Sequence, residues 1–293
     1  MFIPPHMRGA AAMVTSMGLF MAGDTVMKFA LQAGTPLFQM NAIRGVVSAL
    51  LCLLLVLAMG EARNLRHVAN PWAVGRGLCE TVANFGFTIA MTQIPLADVT
   101  AIVQTCPLFV LLGAWLIWGE RLGPVHLLLI GVGLTGAVMV AQPGAAAASP
   151  YALIGFLVAA AAAGRDILTR RVPGHLPAPV VALSVIVVIM LASALTSAAI
   201  ETPVMPDSRS LLLMLLSGTV VVGGHVFVFL AYRIGPARTV APFMYSLTIW
   251  AVLAGLLVFG DVPNALTIAG IALIILSGLA IIAMDGRRRL VTA

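Results

Sequence analysis

APVVALSVIVVIMLASALTSAAI, residues 178–200, runs for twenty-three positions without a charged side chain. Wound as a helix it is about 35 Å long, enough to cross a hydrocarbon layer of about 30 Å. The rest of the chain has the same character. Its 293 residues are 61% hydrophobic and 9% charged, with a mean hydropathy of +1.09. Soluble domains carry about 25% charged residues, so apolar groups on this scale have no place in a water-soluble particle. Disorder is excluded as well, since so few charges cannot solvate an unfolded chain. The formal net charge of +6 and the pI of about 10.0 follow from basic loops at a membrane surface rather than from nucleic-acid binding.

Nine further apolar segments flank this one: 9–31, 36–59, 72–93, 98–118, 124–141, 151–171, 210–232, 237–259 and 265–284. Turn-forming residues separate them, as in Gly34-Thr35-Pro36, Asn70-Pro71, Pro143-Gly144, Pro173-Gly174 and Pro263-Asn264. The reading is an all-α integral membrane protein with ten transmembrane helices. The run after Arg8 superficially resembles a signal peptide, but it continues through Asp24 to Leu31 and lacks a persuasive cleavage site, so it counts as the first span. Cys52, Cys79 and Cys106 each lie in an apolar segment with no CxxC or Cys/His spacing, and read as small core residues.

Arginine placement sets the orientation. With the N-terminus inside, the cytoplasmic ends hold Arg8, Arg63, Arg66, Arg76, Arg121, Arg170, Arg171, Arg233, Arg238 and Arg287 to Arg289. The external ends hold only Lys28 and Arg209, while Arg44 and Arg165 lie deeper. That bias predicts a multi-pass protein of a bacterial inner membrane with both termini cytoplasmic.

The chain also resembles itself. Placing residue n over residue n+141 aligns Pro95 with Pro236, Val99 with Val240, Leu116 with Leu257 and Gly119 with Gly260. It also sets Trp118 over Phe259 and Glu120 over Asp261, and one further step aligns Asp24 with Asp166 and Lys28 with Arg170. Residues 1–148 and 149–293 are therefore expected to be two five-helix repeats within one membrane domain. An odd number of spans per repeat inserts the second copy upside down. This inverted five-plus-five arrangement is used by many secondary transporters around a midplane site.

Trp118-Gly119-Glu120-Arg121-Leu122 and Phe259-Gly260-Asp261 carry a resemblance to the EamA-like branch of the drug/metabolite transporter superfamily, over essentially the whole chain. Asp261 stands where that family commonly has Glu. Within the family the sequence looks most like the YddG-type bacterial exporters of aromatic amino acids. The resemblance implies alternating access around a cavity lined by spans 1–4 and 6–9, with spans 5 and 10 as outer supports. Gly131, Gly133, Gly136, Gly270 and Gly278 of the supports would allow close packing.

A charge within the bilayer costs ~2.5–3.5 kcal/mol on insertion scales, so each one needs a reason. Asp24 and Lys28 are spaced to pair across one turn, as a self-neutralising couple or as substrate-facing groups; Arg76 and Glu80 repeat that spacing. Arg44 has no acid at i±3 or i±4 and must face protein, Asp24 or a cargo carboxylate. Arg165-Asp166 reads as a helix-end charge pair or as a closure of the cavity's cytoplasmic end. His225 falls opposite Asn84 by the repeat offset, either as a hydrogen-bonded core residue or as a binding or proton-linked group. Gln104, Tyr245 and Trp250 complete the candidate set, with Met17 and Met21 as an adaptable wall. Pro107 and Pro242 are expected to interrupt spans 4 and 9.

No HExxH, Asp-rich, Walker or GxSG pattern is present, so no enzyme, cofactor or metal is expected. With few basic groups in the spans, dianionic cargo is disfavoured. The expected activity is export of a small metabolite, aromatic and other neutral amino acids first. A multidrug exporter of the same fold is the alternative, and a channel the more distant one. Small-molecule cargo and the lipid bilayer are the expected partners; oligomeric state is open.

Overall fold

The computed structural model describes residues 8–118, 123–141, 150–169, 171–234 and 240–291. Gly119 to Leu122 of the first signature, the 142–149 connection, Arg170, Pro236 and Arg238 lie outside the described residues. Those described are helical almost throughout, with no strand among them. The first half contributes α1 (Arg8–Gln32), α2 (Leu37–Ala58), α3 (Pro71–Gln93), α4 (Leu96–Val103), α5 (Cys106–Trp118) and α6 (Pro124–Ala141). The second contributes α7 (Tyr151–Thr169), α8 (Ala178–Ile200), α9 (Ser208–Ile234), α10 (Ser246–Ala254) and α11 (Ala265–Val291).

Arg8–Gln32, Leu37–Ala58, Leu96–Ile117, Tyr151–Thr169, Ala178–Ile200 and Ser208–Val228 are long and apolar enough to cross a membrane. Pro124–Val140, Phe243–Phe259 and Ala265–Ile281 are shorter apolar helices. α3 is less apolar because it carries Arg76, Glu80, Asn84 and Gln93. The outer surface is greasy, with Leu54, Leu116, Leu128, Leu195 and Leu257 all exposed. In water that surface would be prohibitive; against lipid tails it is neutral. The interior is rich in methionine, with Met21, Met27, Met40, Met91 and Met214 in one core cluster.

Helix ends follow local chemistry. Asn70 caps α3 by accepting from Trp72 and Ala73, with Pro71 at the first helical position. α2 borrows its cap from far away in sequence: both oxygens of Glu201 accept backbone N–H bonds, from Phe38 and Gln39, at 2.8 Å each. Gly34 and Gly60 turn the chain after α1 and α2 with φ of +89° and +74°, a region other L-residues avoid. The interruption expected at Pro107 is present. α4 stops at Val103 and α5 begins at Cys106, with Pro107 in the first turn, where a missing N–H is tolerated. Pro242 likewise lies in a 3₁₀ turn, Ala241–Tyr245, that precedes α10, and Gly255–Phe259 closes that segment as a π turn.

Helices of one half pack antiparallel on helices of the other. Ser16 donates to the Gly224 carbonyl and Ser217 to the Gly23 carbonyl, which sets α1 against α9. Phe38–Glu201 and Cys52–Pro179 set α2 against α8, and Glu80–Arg165 sets α3 against α7. Gln104 reaches Met244 while Ala97 lies by Gly255, so α4 opposes the segment of α10. α6 meets α11 where Gly136 and Gly270 lie on each other's carbonyls. Gly133 and Gly278 are also tight, the latter beneath the Tyr245 hydroxyl, but Gly131 has no atom within 4 Å of a Cβ position and faces outward.

Candidate functional site

Polar groups collect in two zones between the halves. The first, toward the end where α3 begins, is built on α3, α7 and α5. Arg165 of α7 bridges two carboxylates, with Nη1 2.9 Å from Glu80 Oε2 and Nε 2.7 Å from Asp166 Oδ1. The other oxygen of Asp166 accepts from the Cys106 thiol at 3.7 Å. Arg76, one turn before Glu80, lies within electrostatic reach of Glu80, Asp166 and Arg165, and its buried Nε has no hydrogen-bond partner among the described residues. Sequence spacing pairs Glu80 with Arg76, and sets Arg165 beside Asp166 as a separate helix-end pair or cavity closure. Instead a guanidinium fork holds both acids, because Arg presents donors along two edges at once.

The second zone lies at the opposite end. Lys28 Nζ sits 3.9 Å from Asp261 Oδ2 and 4.4 Å from the centroid of the Phe259 ring. Asp98, at the start of α4, is close enough to act electrostatically on both Lys28 and Asp261. A cavity of about 300 Å³ opens beside them, walled by Gln93, Ile94, Asp98, Asp261, Asn264 and Thr267 among others. Lys28 therefore pairs with the other half rather than with Asp24. Asp24 lies instead 3.9 Å from Arg44, whose Nη1 also contacts the Met27 sulfur at 3.1 Å. Local spacing permits the Asp24–Lys28 pair, but the tertiary partners are nearer.

His225 connects these regions. It lies edge-on to Phe20, with centroids 4.9 Å apart and planes at 77°. It is also within electrostatic reach of Glu80, Arg76, Arg165 and Arg44, which stand on α2, α3 and α7. His225 is nonetheless exposed. An exposed residue ringed by charges from three helices lines an internal cleft, not lipid. Asn84 is half-buried, and its Oδ1 is without a hydrogen bond among the described residues. Asn41 of α2, which sequence reading passed over, is in the same condition: it is 1% exposed, its Nδ2 approaches Thr88 Oγ1 at 3.5 Å, and its Oδ1 is unpartnered. Its position three residues before Arg44, on the same helix face, is the signal that could have found it.

The remaining candidates are held by contacts between neighbouring segments. Gln104 Nε2 donates to the Met244 carbonyl at 3.3 Å. Tyr245 is buried against Gly278 with its hydroxyl unpartnered among the described residues. Trp250 donates from Nε1 to the Val14 carbonyl at 3.1 Å and lies over Gly18. Met17 and Met21 are buried within the core.

With an all-helical membrane bundle and paired charges between its halves in view, comparison with known proteins is informative. The model of the EamA-like transporter family matches residues 7–142. A pseudopaline exporter of Pseudomonas aeruginosa is 30% identical over 85% of this chain and 87% of its own length. The chain belongs to the EamA-like transporter family. A riboflavin transporter of Rhizobium johnstonii is 31% identical, covering 74% of this chain and 72% of that protein. An S-adenosylmethionine uptake transporter of Rickettsia conorii is 26% identical across 89% and 87% of the two chains. One crystal structure superposes with a TM-score of 0.66 at 20% identity, covering 97% of this chain and 99% of the other, so the two share a fold. EamA-like relatives thus move metabolites of different kinds, and the family supports a metabolite transporter rather than an enzyme.

Proposed function

We propose that this EamA-like protein is a secondary-type exporter of small, net-neutral metabolites, with aromatic and other neutral amino acids as its first cargo class. It works by alternating access across a bacterial inner membrane, through ten spans arranged as an inverted five-plus-five repeat with both termini cytoplasmic. The carrying observation is the packing pattern. Exchanging the halves maps span 1 on 6, 2 on 7, 3 on 8, 4 on 9 and 5 on 10. Under that exchange the α1–α9 contact becomes the α7–α3 contact, while the α2–α8, α4–α10 and α6–α11 contacts map onto themselves. A bundle with this pseudo-symmetry has a second conformation available at similar energy, in which the halves trade roles.

The cleft's chemistry supports the cargo class. Its charges are matched across the bundle, Asp24 with Arg44 and Glu80 with Arg165, so a cargo with net charge would meet no complementary excess. The unpartnered amide oxygens of Asn41 and Asn84 offer acceptors to an ammonium group. Arg44 offers donors to a carboxylate, and Phe20 beside His225 offers an aromatic wall. Asp24, Lys28, Glu80, Gln104, Tyr245 and Trp250 belong to the proposal as gating or supporting groups. The multidrug alternative draws on one observation: among the described residues Asp98 and Asp261 share one cation, Lys28, leaving a surplus carboxylate for a cationic drug.

Counterflow in proteoliposomes tests this reading, with labelled Phe, Trp and Leu set against a quaternary ammonium dye. Saturable amino-acid exchange that His225→Leu reduces at least severalfold, without loss of protein yield, is the expected result. Dye flux without amino-acid flux would overturn it.

A further inference from the structure

Among the described residues three ion pairs join groups distant in sequence or on different helices, and they differ in what they connect. Asp24–Arg44 stays within the first half. Glu80–Arg165 and Lys28–Asp261 each connect the first half to the second, at opposite ends. Glu80 lies nine residues into α3, about 14 Å along its axis. Lys28 stands in the last turn but one of α1, and Asp261 follows the π turn after Gly260. The end carrying Glu80 is closed, with a guanidinium in direct hydrogen-bond contact with two carboxylates. The end carrying Lys28 is parted, its charges 3.9 Å apart without a hydrogen bond beside a cavity of about 300 Å³.

We propose that Glu80, Arg165 and Asp166 form a latch between the halves at one end, that Lys28 and Asp261 form its counterpart at the other, and that only one closes at a time. The proposal rests on the alternating-access reading and names the groups that hold each state.

The distribution of charges explains how such a latch opens without stranding an ion in a poorly hydrated interior, which is the usual penalty for breaking a buried pair. When the halves part at the Glu80 end, Arg165 leaves with the second half and keeps Asp166, its neighbour in sequence and its hydrogen-bond partner. Glu80 stays with the first half, and Arg76 is one turn away on the same helix with an uncommitted Nε. Each half therefore remains neutral. At the other end Lys28 keeps Asp98, both in the first half, while Asp261 lies in the connection before α11, a third exposed on the cavity wall, so its charge is not stranded in the interior. Breaking one latch while making the other exchanges similar contacts, so neither state becomes a trap. The balance depends on the difference between the two ends.

Cys106 supplies a native reporter, since its thiol is tied to Asp166 inside the closed latch. The full-length protein is reconstituted with Cys52 and Cys79 replaced by Ala and labelled with N-ethylmaleimide. A second reporter, Ile94→Cys, is placed singly on the wall of the opposite cavity, in a background where Cys106 is also replaced by Ala. Glu80→Gln should raise the labelling rate of Cys106 severalfold and lower that of the cysteine at 94. Lys28→Gln, near the membrane edge, should do the reverse and serves where the Glu80 variant fails to fold. Asp24→Asn, which breaks a pair within one half, should move the two reporters in no reciprocal way. A rise at Cys106 without protection at position 94 would mean local loosening and would overturn the latch, as would unchanged rates at both reporters. Transport that persists without reciprocity would sink the latch and leave the carrier reading standing. Reciprocity in a protein that moves none of the tested cargo would uphold the latch and sink the cargo reading.

Discussion

Replacing Gly270 by Ala adds one carbon at the closest approach of α6 and α11. That carbon would sit 2.5 Å from the Gly136 carbonyl oxygen, 2.9 Å from Val140 Cγ2 and 3.1 Å from Met139 Cβ. An ordinary carbon-to-carbonyl contact between helices is about 3.3 Å, so the helices must separate by roughly 0.8 Å. The obstructing atom is main chain and cannot swing aside, so the shift loosens packing all along the seam. Overpacking of this kind costs about 1–3 kcal/mol. Better helix propensity of Ala over Gly returns about 1 kcal/mol, leaving a net loss of up to about 2 kcal/mol. Thermal unfolding of the detergent-purified protein, followed by tryptophan fluorescence, should show a lowered midpoint for Gly270→Ala. Gly131→Ala, where nothing lies within 4 Å of the new carbon, should match or exceed wild type. Adding Gly136→Ala to Gly270→Ala should cost less than the sum, since the first change has already parted the helices. Because both glycines lie on the supporting spans, transport per folded molecule should be retained. A wild-type midpoint for Gly270→Ala, or an equal loss for Gly131→Ala, would refute the close-packing argument.

Other consequences are open to measurement. Met205, 92% exposed in the connection after α8, should react as cysteine with an impermeant thiol reagent in intact cells, and Ala62→Cys only after lysis; the reverse pattern would invert the proposed orientation. Glu201→Ala should destabilise the fold by about 1–2 kcal/mol through loss of two charge-assisted bonds to α2, and Glu201→Gln by less, both read from unfolding midpoints. Hydrogen bonds from Ser210, side chain first and then its N–H at 3.0 Å from Oδ1, hold the Asp207 carboxyl below its usual range. A depressed folded pKa means this stabilisation is complete above about pH 4 and lost as pH falls through the lowered value. The stability gap between wild type and Asp207→Ala should therefore narrow between pH 4 and 2, and a gap independent of pH would contradict that account.

Much of the helical architecture was legible in the sequence because hydropathy and turn residues are local signals. Each apolar segment coincides with a helix or a broken helix, and Pro107 and Pro242 marked the two breaks. Partner choice was not legible. Asp24 and Lys28 had the spacing of a pair, yet each found a nearer group elsewhere in the fold, Arg44 on α2 and Asp261 in the connection before α11. A side chain several bonds long can satisfy a local rule and a tertiary one, and only packing decides between them. Asp98 and Asp261 looked like segment edges, although folding sets them together around Lys28. Asn41 went unnoticed because a single amide in an apolar run has no local signature. Its significance lies in being buried with an oxygen that nothing in the described structure satisfies.

The break between α4 and α5 also bears on how such a protein changes its cargo over time. Pro107 has no N–H to offer the Val103 carbonyl, and the opposing segment is likewise irregular where Gln104 touches Met244. Main-chain groups at such a break, the Val103 carbonyl among them, lose a helical partner, and no change of their own side chains alters that. Alanine scanning would pass over them in silence, whereas an amide-to-ester replacement or a proline shifted by one position would not. A carrier whose cargo met such groups would keep a generic hold while the surrounding side chains drift.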